Sequence, residues 1–80
     1  MIIEDQRKIT CGGDPFNYLL STLKGIALDI NKGDTVNLLL MENKFPYDEE
    51  KFRQILNFVK LDLIDLKRNE GEIGIIFRKK

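Results

Sequence analysis

The sequence contains no histidine and no tryptophan, and it has one cysteine and two prolines in eighty residues. Without histidine, a Cys–His catalytic pair cannot form, and a single cysteine cannot supply a zinc site. One cysteine also excludes an internal disulfide. No apolar run approaches the roughly 18 residues of a membrane helix, and the first residues lack the basic start of a signal peptide. We therefore expect a cytoplasmic protein without a membrane partner, a metal or a cofactor.

The length and the charge balance further limit the number of domains and the kinds of partner that we expect. Eighty residues suit one small domain, so we predict a single domain over residues 1–80. Thirteen basic residues offset thirteen acidic ones, which gives a formal net charge of zero. Binding to nucleic acid or to anionic lipid relies on summed positive charge. The neutral balance therefore argues against both as the main partner.

One junction near the start of the chain combines unusual residues. Asp14 followed by Pro15 is a helix-start signal, because Asp accepts hydrogen bonds from free N–H groups and Pro has no N–H to lose. Cys11 precedes this signal by three residues. Gly12 and Gly13 lie between them and allow a tight turn of the backbone. The junction thus combines a lone thiol with a predicted helix N-terminus.

Two segments have the apolar period of amphipathic helices. The first begins at Pro15, ends near 31–34 and has apolar residues at steps of three and four: Phe16, Leu19, Leu20, Leu23, Ile26, Ala27 and Ile30. The second follows the acidic run 48–50, whose charges suit the start of a helix. Its apolar residues are Phe52, Ile55, Leu56 and Val59.

The remaining apolar segments predict four strands. Residues 2–6 form a short first strand, and 35–41 are so apolar that a central strand fits best. Leu61, Leu63 and Leu66 alternate imperfectly in a third strand, and a turn at 69–72 leads to a fourth. The order β-α-β-α-β-β predicts an α/β (α+β) two-layer sandwich, with two helices on one face of a four-stranded mixed sheet.

Cys11 is the strongest candidate for chemistry. At the mouth of a helix, the dipole and the free N–H groups would stabilise a thiolate or a persulfide anion. Asp14 opposes this effect, because a nearby carboxylate raises the pKa of a thiol. An inert, buried cysteine at the end of a strand is the alternative interpretation.

Several stretches resemble the TusA/SirA-like sulfur-carrier family over essentially the whole chain. That family has Cys-Pro-x-Pro between its first strand and first helix, and 11–15 stand in this place as Cys-Gly-Gly-Asp-Pro. Cys11 matches the carrier cysteine and Pro15 the second proline, whereas Gly12 replaces the first. The stretches 32–35 and 75–79 resemble the family's turn into the second strand and its last strand.

The resemblance implies a small sulfur carrier or sulfurtransferase that relays persulfide sulfur on Cys11 between a donor and an acceptor protein. Gly12, Gly13, Asp14 and Pro15 would support the cysteine at the helix mouth. The altered motif motivates a second hypothesis, a non-catalytic protein-interaction module of the same fold. Nucleic-acid binding through the basic C-terminal strand is a third and weaker one, because it rests on fold analogy alone.

Basic residues supply the remaining candidates. Arg7, Lys8 and Lys24 could lie near the cysteine and attract an anionic partner, although ordinary solvated charges are the simpler explanation and the one we favour. Lys67–Arg68 and Arg78–Lys80 lie on the two predicted strands of the hairpin. There they could form one basic patch, or they could protect exposed strand edges.

Overall fold

Two helices lie against one face of a four-stranded mixed sheet, as the sequence predicts. In this computed structural model, residues 1–7 and 14–80 are described. The elements in chain order are β1 (Ile2–Asp5), α1 (Pro15–Asp29), β2 (Thr35–Met41), α2 (Glu49–Phe58), β3 (Leu61–Asn69) and β4 (Glu72–Lys79). The predicted order β-α-β-α-β-β is confirmed, and the first strand is one residue shorter than predicted.

The strand order across the sheet is β1-β2-β4-β3. β1 pairs with β2 in parallel, as expected for strands joined through a helix, and the other two pairings are antiparallel. β2 and β4 are therefore central, which agrees with the apolar run of β2. β1 and β3 form the edges.

Burial in β2 shows which face of the sheet the helices cover. Val36, Leu38 and Leu40 are fully buried, while Asn37 and Leu39 between them are only half-buried. Successive strand residues point to opposite faces, so the first set faces the helices and the second faces the open side. The core is completed by residues of both helices and of β4, including Leu19, Leu23, Phe52, Leu56, Ile73 and Phe77.

The helix starts follow the capping signals of the sequence. Asp14 is the N-cap of α1, and its side chain accepts a hydrogen bond from the backbone N–H of Phe16. Asp48 caps α2 in the same way by accepting from the N–H of Lys51. Each cap satisfies one N–H group that has no partner within its helix, which stabilises the helix start.

The hairpin between β3 and β4 explains the imperfect alternation in 61–66. A β-bulge between Leu63 and Asp65 inserts one residue, so Leu66 returns to the face that Leu63 occupies. Glu70 and Gly71 then form the turn with φ of 48° and 82°. Two successive positive φ values are typical of the two-residue turns that match the twist of a hairpin.

One segment is packed more tightly than the sequence predicts. Residues 42–47 have the composition of a polar connection, yet Phe45 within them is only 3% exposed and belongs to the core. Its ring lies against Tyr18 of α1, with ring centroids 6.1 Å apart. A single aromatic residue in a loop is not part of a periodic apolar pattern, so the sequence did not predict that Phe45 would be buried.

Candidate functional site

Cys11, the predicted sulfur-carrying residue, lies outside the described residues, as do Gly12, Gly13 and Lys8. The candidate site can therefore be built from the two described ends of the connection in which Cys11 occurs. One end is the exit of β1 at Gln6 and Arg7. The other is the start of α1 at Asp14 and Pro15.

Asp14 and Pro15 form the mouth of α1, with Asp14 at the surface. The Oδ1 atom of Asp14 accepts from the N–H of Phe16 at 3.0 Å, and its carbonyl accepts the first helical bond from Tyr18 at 3.1 Å. Pro15 contributes no N–H group. The mouth thus keeps the positive end of the helix dipole, but two of its N–H groups are bonded to Asp14 and it already contains one negative charge.

Tyr47 belongs to the same surroundings, because the charge of Asp14 acts on its phenol. Burial raises the pKa of its phenol, and the negative charge of Asp14 raises it further. The Tyr47 ring meets Phe52 edge to face, with centroids 5.7 Å apart. A carboxylate that acts on the Tyr47 phenol would act in the same direction on any acid close to the mouth, including a thiol.

The exit of β1 is tied to α1 by a side-chain hydrogen bond. The hydroxyl of Tyr18 donates to Oε1 of Gln6 at 2.7 Å, and the backbone N–H of Gln6 donates to the carbonyl of Leu39 at 2.9 Å. Gln6 therefore continues the β1–β2 ladder and is also held by the first turns of the helix. Both described ends of the connection are thus fixed by hydrogen bonds.

Arg7 is engaged with carboxylates of its own sheet. Its guanidinium makes two bonds to Asp5, at 2.8 and 2.9 Å, and one to Glu72. The hydrogen bonds to Asp5 and then to Glu72 hold the pKa of Arg7 above its ordinary value. It lines a cavity on the open face of the sheet together with Asn37 and Lys67. The positive charge of Arg7 is therefore largely neutralised by carboxylates of the same chain.

Lys24 lies far from the mouth. It is nine residues after Pro15, which is about 14 Å along the helix axis. There it lines an open cavity of about 400 Å³, which we call the lysine cleft. The residues of the lysine cleft are Lys24, Ala27, Leu28, Phe58, Val59, Lys60, Lys79 and Lys80. The predicted docking residues Arg7 and Lys24 are thus not brought together.

A different lysine contacts the first turn of α1. The Nζ atom of Lys51, in α2, lies 5.2 Å from the centroid of the Phe16 ring, within the range of a cation–π contact. Thirty-five positions separate these residues in the sequence, and no local pattern links them. The contact follows only from the packing of the two helices on one sheet.

The basic residues of the hairpin do not form one patch. Lys67 and Arg68 pair with Gly74 and Ile73, whereas Arg78 and Lys79 pair with residues at the opposite end of β3. Arg68 is bonded to Glu42 and to the carbonyl of Tyr47, and Arg78 to Asp62. The antiparallel register thus places the basic residues 67–68 and 78–80 at opposite ends of the hairpin. Carboxylates neutralise the charges of Arg68 and Arg78.

Two features are absent from residues 1–7 and 14–80. No helix there is long and apolar enough to cross a membrane. No group of three or more histidine, cysteine or acidic side chains in these segments is arranged to hold a metal ion.

Comparisons with known proteins bear on the fold. No model of a protein family matches the sequence, and neither does any curated protein. Among solved structures, the chain is similar to the solution structure of HP1264 from Helicobacter pylori, with a TM-score of 0.67 and 17% identity. The match covers 100% of this chain and 99% of that one. At this identity the likeness establishes a shared fold over the whole chain, and nothing about activity.

Proposed function

We propose that the protein is a small sulfur carrier in which Cys11 holds persulfide sulfur between a donor and an acceptor protein. The supporting observation is the capped start of α1, with its positive dipole end, three residues after the sole cysteine. A chain spans at most about 3.6 Å per residue, so the Cα atoms of Cys11 and Asp14 can be at most about 11 Å apart. The β-α-β-α-β-β fold is also the one that the family resemblance implies.

The transfer needs no cofactor. The Cys11 thiolate attacks the outer, sulfane sulfur of a donor persulfide, so that a new S–S bond forms on Cys11 while the donor's S–S bond breaks. The donor sulfur leaves with the electron pair of the broken bond, as a thiolate. The sulfane sulfur keeps its oxidation state, and no external oxidant or reductant is consumed. A second exchange passes it to the acceptor.

Mass spectrometry after incubation with a low-molecular-weight persulfide tests this proposal. The wild type is expected to gain one sulfur atom on Cys11, and a thiol reductant should remove it. Cys11→Ser is the matched control and should gain none. An unmodified wild type, or equal loading of Cys11→Ser, would contradict the proposal.

The second candidate function is a non-catalytic interaction module. Asp14 favours it, because the carboxylate at the helix mouth occupies one N–H group and raises the pKa of nearby acids. Titration of Cys11 with a thiol-reactive probe separates the two candidates. A thiol pKa below the ordinary value of about 8.5 favours the carrier, and a raised value favours the module.

A further inference from the structure

Two neighbouring cavities lie along the helices, and one of them, the lysine cleft, reaches the end of β4 at Lys79 and Lys80. Beside the lysine cleft lies a second cavity of about 340 Å³, lined by Phe16, Leu20, Lys51, Gln54, Ile55 and Phe58. Phe58 lines both cavities. We call the combined feature the interhelical groove.

The walls of the interhelical groove are apolar and unusually exposed. Phe16, Leu20 and Leu28 recur on one side of α1 at multiples of four residues, and Phe58 faces them from α2. Leu28 is 84% exposed and Phe58 is 71% exposed. Single exposed apolar residues are common, but a lined depression of this kind is typical of a surface that another molecule covers.

The charge around the interhelical groove has one sign. Five lysines and no acidic residue line its two cavities, although the whole chain has thirteen residues of each sign. Every arginine of the chain has a carboxylate partner. Among the described residues, none of these five lysines has one. The groove therefore concentrates positive charge in a molecule of zero net charge.

Helix dipoles explain only part of this charge. The Nζ atom of Lys79 donates to the carbonyl of Ile30 at the end of α1, where a cation is favourable. Lys24 lies inside α1, away from its last turn. Lys51 lies in the first turn of α2, where the dipole disfavours a cation. An anionic ligand would account for the positions of Lys24 and Lys51, which the helix dipoles do not explain.

We propose that the interhelical groove binds an acidic segment of a partner protein that carries large apolar side chains. From Phe16 to Leu28 the groove follows α1 for about 18 Å. An extended segment of five or six residues has this length. Its apolar side chains would cover Phe58 and Leu28, while its carboxylates would meet Lys24, Lys51 and Lys60. The binding needs no reaction at Cys11, so it is independent of the proposed carrier activity.

The chemistry of the lining favours a protein segment over a phosphate-bearing ligand. Lysine is a point charge on a flexible stem, which suits carboxylates at variable spacing. No arginine lines the groove to grip a phosphate with two parallel bonds. The helix ends beside the lysine cleft are C-terminal ones, which do not attract phosphate. The N-terminal turns beside the second cavity are already capped by the carboxylates of Asp14 and Asp48, which would repel a phosphate.

Binding of a synthetic probe to the isotope-labelled full chain tests the proposal by nuclear magnetic resonance. The probe is a short peptide in which leucine and phenylalanine alternate with glutamate. We expect saturable shifts in the amides of Leu28, Phe58 and Lys60, and weaker binding at higher salt. Lys24→Glu should weaken the binding about tenfold, because it replaces an attraction with a repulsion.

Matched variants distinguish specific binding in the groove from general attraction between opposite charges. Lys67→Glu makes the same charge change on the open face of the sheet and should alter the affinity less than about twofold, since screening is strong at that distance. Phe58→Ser should weaken binding about tenfold or more, because it removes an apolar contact. Ile64→Ser, which changes another exposed apolar residue, should have little effect.

Three results would overturn the proposal. One is equal weakening by Lys24→Glu and Lys67→Glu, which would indicate non-specific charge attraction. Another is the absence of saturable shifts in the groove at millimolar peptide. The third is that vesicles of phosphatidylglycerol or a single-stranded oligonucleotide shift the groove amides while the peptide does not, which would assign the groove to a membrane surface or a nucleic acid.

Discussion

The two ends of the domain treat charge and aromatic residues in opposite ways. At the α1 mouth, Asp14 is used as a cap, Tyr18 is bonded to Gln6, and Phe45 is buried beneath them. At the lysine cleft, cations stand without carboxylates around the exposed ring of Phe58. The first end is built mainly from interactions within the chain, whereas the second leaves the Phe58 ring exposed and its lysines without carboxylate partners among the described residues. The zero net charge of the chain therefore hides an uneven distribution of charge between the two ends.

The largest expected difference in stability is between alanine variants of two phenylalanines. Phe45→Ala removes a ring that is 3% exposed and should lower the free energy of unfolding by about 3–5 kcal/mol. Phe58→Ala should change it by less than about 0.5 kcal/mol, because that ring is 71% exposed. Chemical denaturation of both variants measures the difference. Comparable losses would show that Phe58 is part of the core and would remove the contrast between the ends.

The carboxylates at the two ends of α1 should have opposite effects. Asp14→Ala removes the N-cap and should lower the free energy of unfolding by about 1 kcal/mol. Asp29→Ala removes a negative charge from the last residue of the helix, where the dipole disfavours it, and should raise the value by a few tenths of a kcal/mol. Asp14→Asn keeps a capping side chain and should cost less than Asp14→Ala. A loss of stability in Asp29→Ala would contradict this assignment of the helix ends.

The smallest expected effect appears only in alkaline solution. The pKa of Tyr47 is raised above its ordinary value of 10.0 in the folded chain, so the folded state retains its proton to higher pH than the unfolded state. The resulting stability is fully present below about pH 10 and is lost as pH rises through the folded-state pKa. Asp14→Asn should shift the Tyr47 pKa downward, as ultraviolet titration of the phenol would show. The Tyr47→Phe variant shows which part of the ultraviolet titration comes from Tyr47. If Asp14→Asn leaves the Tyr47 titration unchanged, the charge of Asp14 does not act on this phenol.

Much of the fold was predictable because its signals are local. The caps at Asp14 and Asp48, the helical periods and the alternating strands each depend on neighbours within about four positions. The bulge at Leu63 was visible in the sequence only as an interrupted alternation of apolar and polar residues. Nothing in the sequence indicated that Phe45 would be buried. Both depend on partners across the sheet or on another helix, and a single sequence does not identify such partners.

The candidate site was less predictable. Asp14 and Pro15 lie where the sequence placed them, while Cys11 remains a prediction because it falls outside the described residues. Arg7 and Lys24 were grouped by charge and by an expected position near the cysteine in the fold. The fold separates them, because Arg7 bonds to Asp5 and Glu72 on the sheet and Lys24 lies about 14 Å along α1 from its start.

By itself, the sequence determined the types of the elements, their order, the start of each helix and the absence of histidine chemistry. The tertiary structure decided which charges distant in sequence meet. It paired Arg7, Arg68 and Arg78 with carboxylates of other segments. It also gathered five lysines around the interhelical groove. Local periods fix secondary structure because they act between neighbours in the chain. The charge pattern depends instead on strand register and helix packing, which bring together residues such as Phe16 and Lys51 that lie thirty-five positions apart.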